Sequence, residues 1–380
     1  MLALSELTAY LLDRRHIHPD AVVDGGLTMV DTSRRNHNVM VKAEPAVRLF
    51  VKQGHSDPLS VQSPPYWTGS GSLAHEAVVY SLLGSLPRQG SRGEISAALP
   101  RCHGFDAGHD LLILESLPDA LDLTSYHTRT GRFPATVGGQ LGAALADLHK
   151  RATEAAQRRP ADFPGRIPWV LGIDRPGMAF YRQMSNGGIQ LVRILQSSLK
   201  LRAALAALRA DWRVDALVHH DVKWDNCLVL AAGTSGRRTR LALVDWEFAD
   251  LGHACWDTGS AFSAYLSCWL TSIPLTGSEL PDRYLDLAEF PLVRMQRAMR
   301  AFWAAYTAAR GWDSTVATPA LIDSARYAGA RLLQTAYERA QSAGRLSATV
   351  VCLSQLAENM LVRPEEAAEY LLGLPLGRES

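Results

Sequence analysis

Asp221, Lys223, Asn226 and Asp245 carry the side chains that transfer of a phosphoryl group between oxygens requires. The first three stand in Val218-His219-His220-Asp221-Val222-Lys223-Trp224-Asp225-Asn226, and the last in Leu243-Val244-Asp245-Trp246-Glu247. The transition state spreads negative charge over phosphate oxygens, which hard cations and fixed positive groups must neutralise. Magnesium takes oxygen ligands, and an Asn carbonyl and an Asp carboxylate supply them. On this reading Asn226 and Asp245 hold the metal. Asp221 orients the acceptor hydroxyl and takes its proton, and Lys223 sits near the transferred phosphate.

These residues need a rigid support. Short strands are predicted at Ala216–Val218, Cys227–Leu230 and Leu241–Val244, with a turn over 233–238, so the key loop lies between strands. Residues 20–120 read as strand-rich. Val39–Val41 and Leu49–Val51 flank a Glu44-Pro45 hairpin turn, residues 73–83 have helical spacing, and Leu111–Leu114 is a further strand. Pro118 and Asp119 break the pattern, which places a boundary near 116–120. After it, helices are predicted over 136–151 and 189–211, and from 256 onward apart from loops near 273–283 and 311–319. Met1–Arg15 reads as an amphipathic helix with Leu4, Leu7 and Leu11 on one face.

The ordered set resembles the H-x-D-x-x-x-x-N catalytic loop and Asp metal motif of kinases. The residues around it resemble the aminoglycoside phosphotransferase-like (kinase-like) family. That family's D-W/F-E motif is matched by Asp245-Trp246-Glu247, and its G-x-x-x-W-D by Gly252 to Trp256-Asp257. The chain departs from it at His220, where the family usually has Gly. The resemblance runs from about residue 25 to 340. It implies an α+β, bilobal protein-kinase-like fold: a small antiparallel β N-lobe (1–116, with the N-terminal helix) that binds nucleotide, and a larger, mainly helical C-lobe (117–380) with the catalytic loop and acceptor site. It implies ATP and Mg2+ as cofactors. Lys52, ending a strand, would contact the α- and β-phosphates, and Glu76 on the next helix would pair with it. Ser33 and Arg34 lie where the phosphate-covering loop belongs, in a segment that is not glycine-rich and also reads as an exposed basic hairpin tip. Glu115 and Leu117 occupy the hinge position, where backbone groups meet the adenine edge. Asp257 would brace the catalytic loop, and His219 would pack behind it.

Composition bounds the alternatives. Hydrophobic residues make up 47% and charged residues 20% of 380, which is globular. Lys and Arg number 39 against 38 Asp and Glu, so no global field favours nucleic acid. Five cysteines without a C-x-x-C pair suit reduced thiols and a cytoplasmic location. No apolar run reaches the ~18 residues of a membrane span, so no membrane partner is expected. His219, His220 and His253 with Cys227 or Cys255 match no common zinc spacing, and no G-x-S-x-G elbow marks a serine hydrolase.

The acceptor is less determined. Glu279, Asp282, Asp286, Glu289, Asp313 and Asp323 alternate with Arg283, Arg294, Arg297, Arg300 and Arg310, which is not the acidic cleft a polyammonium antibiotic wants. A lysine two residues after the catalytic Asp resembles Ser/Thr protein kinases. Lys223-Trp224-Asp225-Asn226-Cys227 resembles kinase-like proteins of lanthipeptide- and thioamitide-type pathways. That resemblance implies phosphorylation of Ser/Thr in a ribosomally made precursor peptide, with a separate lyase as partner. A small-molecule kinase and a catalytically silent kinase homologue that binds a peptide or partner protein are the alternatives.

Overall fold

Alternation along one strand sets the layering of the N-terminal part. Leu111-Leu112-Ile113-Leu114 is buried throughout. Leu111 and Ile113 face one cluster with Leu7 and Leu11, while Leu112 and Leu114 face another with Leu82 and Leu83. A strand covered on both faces reads as a continuous apolar run. The computed structural model describes residues 2–32, 37–54, 72–87, 95–230, 239–274, 285–342 and 344–376.

The N-terminal elements are α1 (Leu4–Asp13), α2 (Pro19–Val23), β1 (Leu27–Asp31), β2 (His37–Ala43), β3 (Val47–Gln53), α3 (Leu73–Gly84), β4 (Cys102–Asp106) and β5 (Leu111–Glu115). The strands form one antiparallel sheet in the order β1-β2-β3-β5-β4. On α1, Leu7 and Leu11 are buried, but Leu4 is 43% exposed, so the apolar face is one turn shorter than the spacing predicts. The hairpin at Glu44-Pro45 joins β2 to β3 with Ala43 opposite Val47.

The chain leaves this sheet at Glu115. It continues through β6 (Ala120–Asp122), α4 (Leu123–Thr130), α5 (Ala135–Arg151), α6 (Thr153–Gln157), α7 (Met178–Tyr181), α8 (Asn186–Ser197) and α9 (Leu199–Ala210). Next come β7 (Ala216–Val218), β8 (Cys227–Leu230), β9 (Arg240–Leu243) and β10 (Asp250–Gly252), then α10 (Ala254–Thr271), α11 (Leu292–Arg310), α12 (Ser314–Gln341) and α13 (Ala348–Val362). The α+β fold class expected from the sequence is observed: a small antiparallel sheet, then a larger helical part. Helix α5 lies close to α11 because Gly138 and Gly142 present no side chain. A Cβ on either would run into the backbone carbonyl of Ala298 or Phe302.

At two helix boundaries a capping side chain overrides the sequence reading. The single helix expected over 189–211 is two, because Ser198 leaves helical geometry (ψ 106°) and its side chain accepts the Leu201 N–H to start α9. Such local capping competes with helix continuation. The loop expected over 311–319 ends early, because Asp313 accepts the N–H groups of Thr315 and Val316 and starts α12 with Pro319 inside it. The predicted turn over 233–238 lies outside the described residues.

Two small sheets position the site. Strands β6, β8 and β9 form one, and β7 pairs with β10. In the first, Cys227 stands opposite Leu243, which brings Asn226 and Val244 side by side with Val244 N–H donating to Asn226 O at 3.0 Å.

Candidate active site

Lys52 projects from β3 and is 6% exposed. Its Nζ donates to both Glu76 oxygens, at 2.9 and 2.8 Å, and to Asp245 Oδ1 at 2.8 Å. Glu76 is fully buried in the first turn of α3, which Ser72 caps by accepting His75 N–H. Burial opposes the lysine's charge, but the two carboxylates outweigh it and hold its pKa above the usual range. For Glu76 burial dominates and pushes the carboxyl up, against the pull of Lys52. His75 adds a second tether. Its Nε2 donates to Ala249 O at 2.7 Å, so that nitrogen carries the proton. Helix α3 is thereby fixed to the segment that follows Asp245.

The loop from β7 to β8 is fixed from behind. Asp257, fully buried in the first turn of α10, accepts His219 N–H at 2.7 Å and His220 N–H at 3.0 Å. His149 Nε2 donates to the same carboxylate at 3.1 Å, and Tyr306 supports His149 at 2.9 Å. Burial works against the Asp257 charge, but the His149 hydrogen bond and nearby positive groups keep its pKa below the usual carboxylate value. Trp256 Nε1 donates to His220 O at 2.9 Å. His219 Nε2 donates to Val244 O at 3.0 Å, and its ring lies 4.3 Å from that of Trp246. Asp257 and His219 thus occupy the bracing positions expected of them.

Of the five described non-glycine residues with left-handed backbone, two belong to this site, His220 (φ 67°) and Asp245 (φ 68°). That conformation costs an L-residue roughly 1–2 kcal/mol and marks sites where surrounding structure over-determines the backbone. It explains why a glycine serves at the first position. The His220 ring is 3% exposed and lies 6.2 Å from each of Trp212 and Trp256, so it packs behind the loop. Glu247, 4% exposed, is not a surface residue.

Asp221 is held on both oxygens. Lys223 Nζ lies 2.7 Å from Oδ2, Asn226 Nδ2 donates to Oδ2 at 3.0 Å, and Arg331 Nη2 donates to Oδ1 at 3.1 Å. Burial opposes the charge, yet Lys223 and Arg331 hold the carboxyl far below the usual range. Lys223 is raised, chiefly by Asp221. The Asn226 amide nitrogen also donates to Asp221 O at 3.0 Å, which leaves its carbonyl oxygen as the group able to face a cation. Asp245 is lowered, with Lys52 outweighing burial. An amide oxygen beside a carboxylate kept ionised fits a hard divalent cation such as Mg2+.

Arg331 was not anticipated from the sequence. It lies on α12, 110 residues from Asp221. The available signal was one arginine in the otherwise apolar run Ala328-Gly329-Ala330-Arg331-Leu332-Leu333. At the hinge, the N–H of Glu115 is taken by Arg101 O, and that of the intervening Ser116 by Arg48 O. Leu117 N–H makes no hydrogen bond among the described residues. Ser33 and Arg34 lie outside the described residues. Beside Asp221 opens a cavity of about 660 Å3, lined among others by Lys223, Asp225, Ser263, Glu289, Arg331 and Glu338.

His253 and Cys255 approach Asp323, with ligand-type atoms within 4.8 Å of one another. His253 Nδ1 accepts Cys255 N–H, and Arg213 lies 3.4 Å from Asp323. Burial pushes the Cys255 thiol up to about 12. A capped helix start with a guanidinium at its carboxylate accounts for this cluster.

A lysine–glutamate pair under a small sheet, and an Asp–Asn loop facing an Asp at the next strand end, define a phosphotransferase of kinase-like fold. The chain belongs to the phosphotransferase enzyme family (APH), whose model matches residues 96–312. It is therefore a transferase with an alcohol group as acceptor. Among solved structures it is similar to a Plasmodium vivax ethanolamine kinase, with TM-score 0.52 and 11% identity over 96% of this chain and 91% of that one. It is also similar to a choline/ethanolamine kinase family protein from Mesorhizobium loti, with TM-score 0.46 and 14% identity over 88% and 92%. A macrolide 2′-phosphotransferase from Brachybacterium faecium gives TM-score 0.45 and 19% identity over 90% and 94%. At these identities the likeness concerns the fold. A search among curated proteins finds no match.

Proposed function

We propose that the protein transfers the γ-phosphoryl group of ATP to a hydroxyl held against Asp221, and that the acceptor is a Ser or Thr of a ribosomally made precursor peptide. The observation that carries the acceptor class is the pair of cations on Asp221, Lys223 at 2.7 Å and Arg331 at 3.1 Å. A polyammonium acceptor would bring like charge to the transfer point, where low dielectric makes repulsion costly. A neutral side-chain hydroxyl meets no such barrier.

Lys52 binds the α- and β-phosphates, with Glu76 keeping it in place, and Leu117 N–H and Glu115 C=O meet the adenine edge. Asn226 and Asp245 would hold Mg2+, which when bound neutralises phosphate charge. Asp221 accepts the hydrogen bond of the acceptor hydroxyl and aims its oxygen. Because its pKa is held so low, it is a weak base, and the proton reaches it late, as the new P–O bond forms and the bond to ADP breaks. Lys223 bridges Asp221 and the moving phosphoryl group. The phosphate then serves as a leaving group for a partner lyase in the cytoplasm. No described helix is long and apolar enough to cross a membrane.

A small-molecule acceptor is the second reading, favoured by the size of the cavity. About 660 Å3 falls inside the range of small-ligand pockets, roughly 300–1,000 Å3. Mass spectrometry after incubation with Mg2+ and ATP separates the two. A Ser/Thr-rich precursor peptide, with and without neighbouring-gene proteins, and a panel of hydroxylated antibiotics are offered together. One added phosphate on the peptide, or loss of water once a lyase is present, supports the peptide acceptor. Phosphate on an antibiotic alone overturns it.

A further inference from the structure

Counting lone pairs on Asp221 indicates which oxygen is left for the acceptor. Each carboxylate oxygen offers about two acceptor sites. Oδ2 uses both, on Lys223 at 2.7 Å and Asn226 at 3.0 Å. Among the described residues Oδ1 uses one, on Arg331 at 3.1 Å. In this arrangement the open site is on the oxygen that Arg331 holds.

Lys223 is poorly suited to fix the carboxylate plane alone. Its side chain is 47% exposed, and a four-carbon stem is flexible. Rotation of an Asp carboxylate about its last bond is broad. Arg331 is the opposite case. It is 7% exposed, and its guanidinium lies 5.5 Å over the Trp256 ring. Its Nη1 donates to Gln334 Oε1 at 2.7 Å, and Gln334 Nε2 donates to Glu338 at 2.9 Å. Trp256 also holds His220 O, so one indole serves both the loop and the arginine. A buried ion pair adds little stability over an apolar pair of equal volume, so fixed geometry is what this one supplies.

We propose that Arg331 is a positioning residue for the transfer reaction, which sets the plane of the Asp221 carboxylate so that Oδ1 receives the acceptor hydroxyl. This rests on the reading of Asp221 as the group that orients the acceptor. It makes α12 a working part of the active site, outside the loop motifs.

Phosphoryl transfer is measured with γ-labelled ATP and Mg2+ on a pool of Ser/Thr peptides and, in parallel, on water as phosphate release. Arg331→Lys keeps the charge and Arg331→Ala removes the group. Both are expected to lower kcat by about 10–100-fold, the scale of a small misalignment, with KM for ATP within about twofold. Methylguanidinium at millimolar concentration should restore part of the kcat of Arg331→Ala and leave the wild type unchanged. Wild-type kcat in folded Arg331→Lys overturns the proposal. So does a loss in which KM for ATP rises in step and methylguanidinium does nothing, since that is a structural role. Asp221→Asn is run alongside. If it transfers as well as the wild type, or the wild type transfers to neither acceptor, the reading of Asp221 itself falls and Arg331 with it.

Discussion

Lys52 and Asp245 meet at 2.8 Å although 193 residues separate them. One belongs to the N-terminal sheet and the other follows β9, so this ion pair joins the two halves of the candidate site. Glu76 holds the same ammonium at 2.8 Å. Lys52 is thus already placed and charged before any phosphate arrives.

Asp245→Ala is expected to abolish metal-dependent transfer, by about 10³-fold or more, since transition-state charge stabilisation is often the largest catalytic contribution. The fold should survive, because the Asp245 side chain is 30% exposed and Lys52 keeps Glu76. Phosphate transfer against Mg2+ concentration, with circular dichroism as control, checks this. An active variant sinks the metal assignment.

Lys52→Ala leaves the fully buried Glu76 carboxylate without its cation. Breaking one side of a buried pair costs about 3–5 kcal/mol, so this variant should both unfold earlier and bind ATP poorly. Lys52→Met with Glu76→Leu replaces the pair by apolar groups and should recover most of the stability but none of the nucleotide handling. Chemical denaturation and KM for ATP read the two effects separately. Unchanged kinetics in either variant would remove Lys52 from the site.

At His220 the left-handed backbone (φ 67°) can be separated from the ring. His220→Ala should be about 1 kcal/mol less stable than His220→Gly, because only glycine adopts this conformation without strain. Both should keep kcat within a few-fold, since the backbone N–H to Asp257 and the carbonyl from Trp256 remain. A tenfold loss of kcat in folded His220→Gly would show that the imidazole takes part in transfer.

His127 gives a pH dependence. It is fully buried on α4, its Nδ1 donates to Arg132 O at 2.5 Å, and its Nε2 has no hydrogen-bond partner among the described residues. Burial lowers its pKa from 6.5 to about 4. The folded value lies below the unfolded one, so protonation favours unfolding. Stability is complete above pH 6.5 and falls as pH drops towards about 4. The loss from this residue is on the order of 3 kcal/mol, at 1.36 kcal/mol per pKa unit. Urea unfolding from pH 7 to 4 should show a shallower slope in His127→Phe. Equal slopes would refute the assignment. His220, also lowered to about 4 by burial, contributes in the same direction.

The sequence by itself determined the two-part α+β order of elements and the relation of Asp221, Asn226 and Asp245. Those features are local: strand alternation, a turn, and a short loop whose ends are pinned by pairing of Cys227 with Leu243. The pairing of Lys52 with Glu76 was also legible, because one strand and the next helix carry them. Only the tertiary structure decided the rest. Whether Ser198 would break a helix depended on its side chain reaching Leu201 N–H. Whether the His220 ring faces the acceptor depended on Trp212 and Trp256, which close around it from different elements. The hold of Arg331 on Asp221 depended on how α12 packs against α10, and helical spacing along α12 records only which face is buried. A buried arginine shows its purpose once its partner is known, and that partner lies 110 residues away.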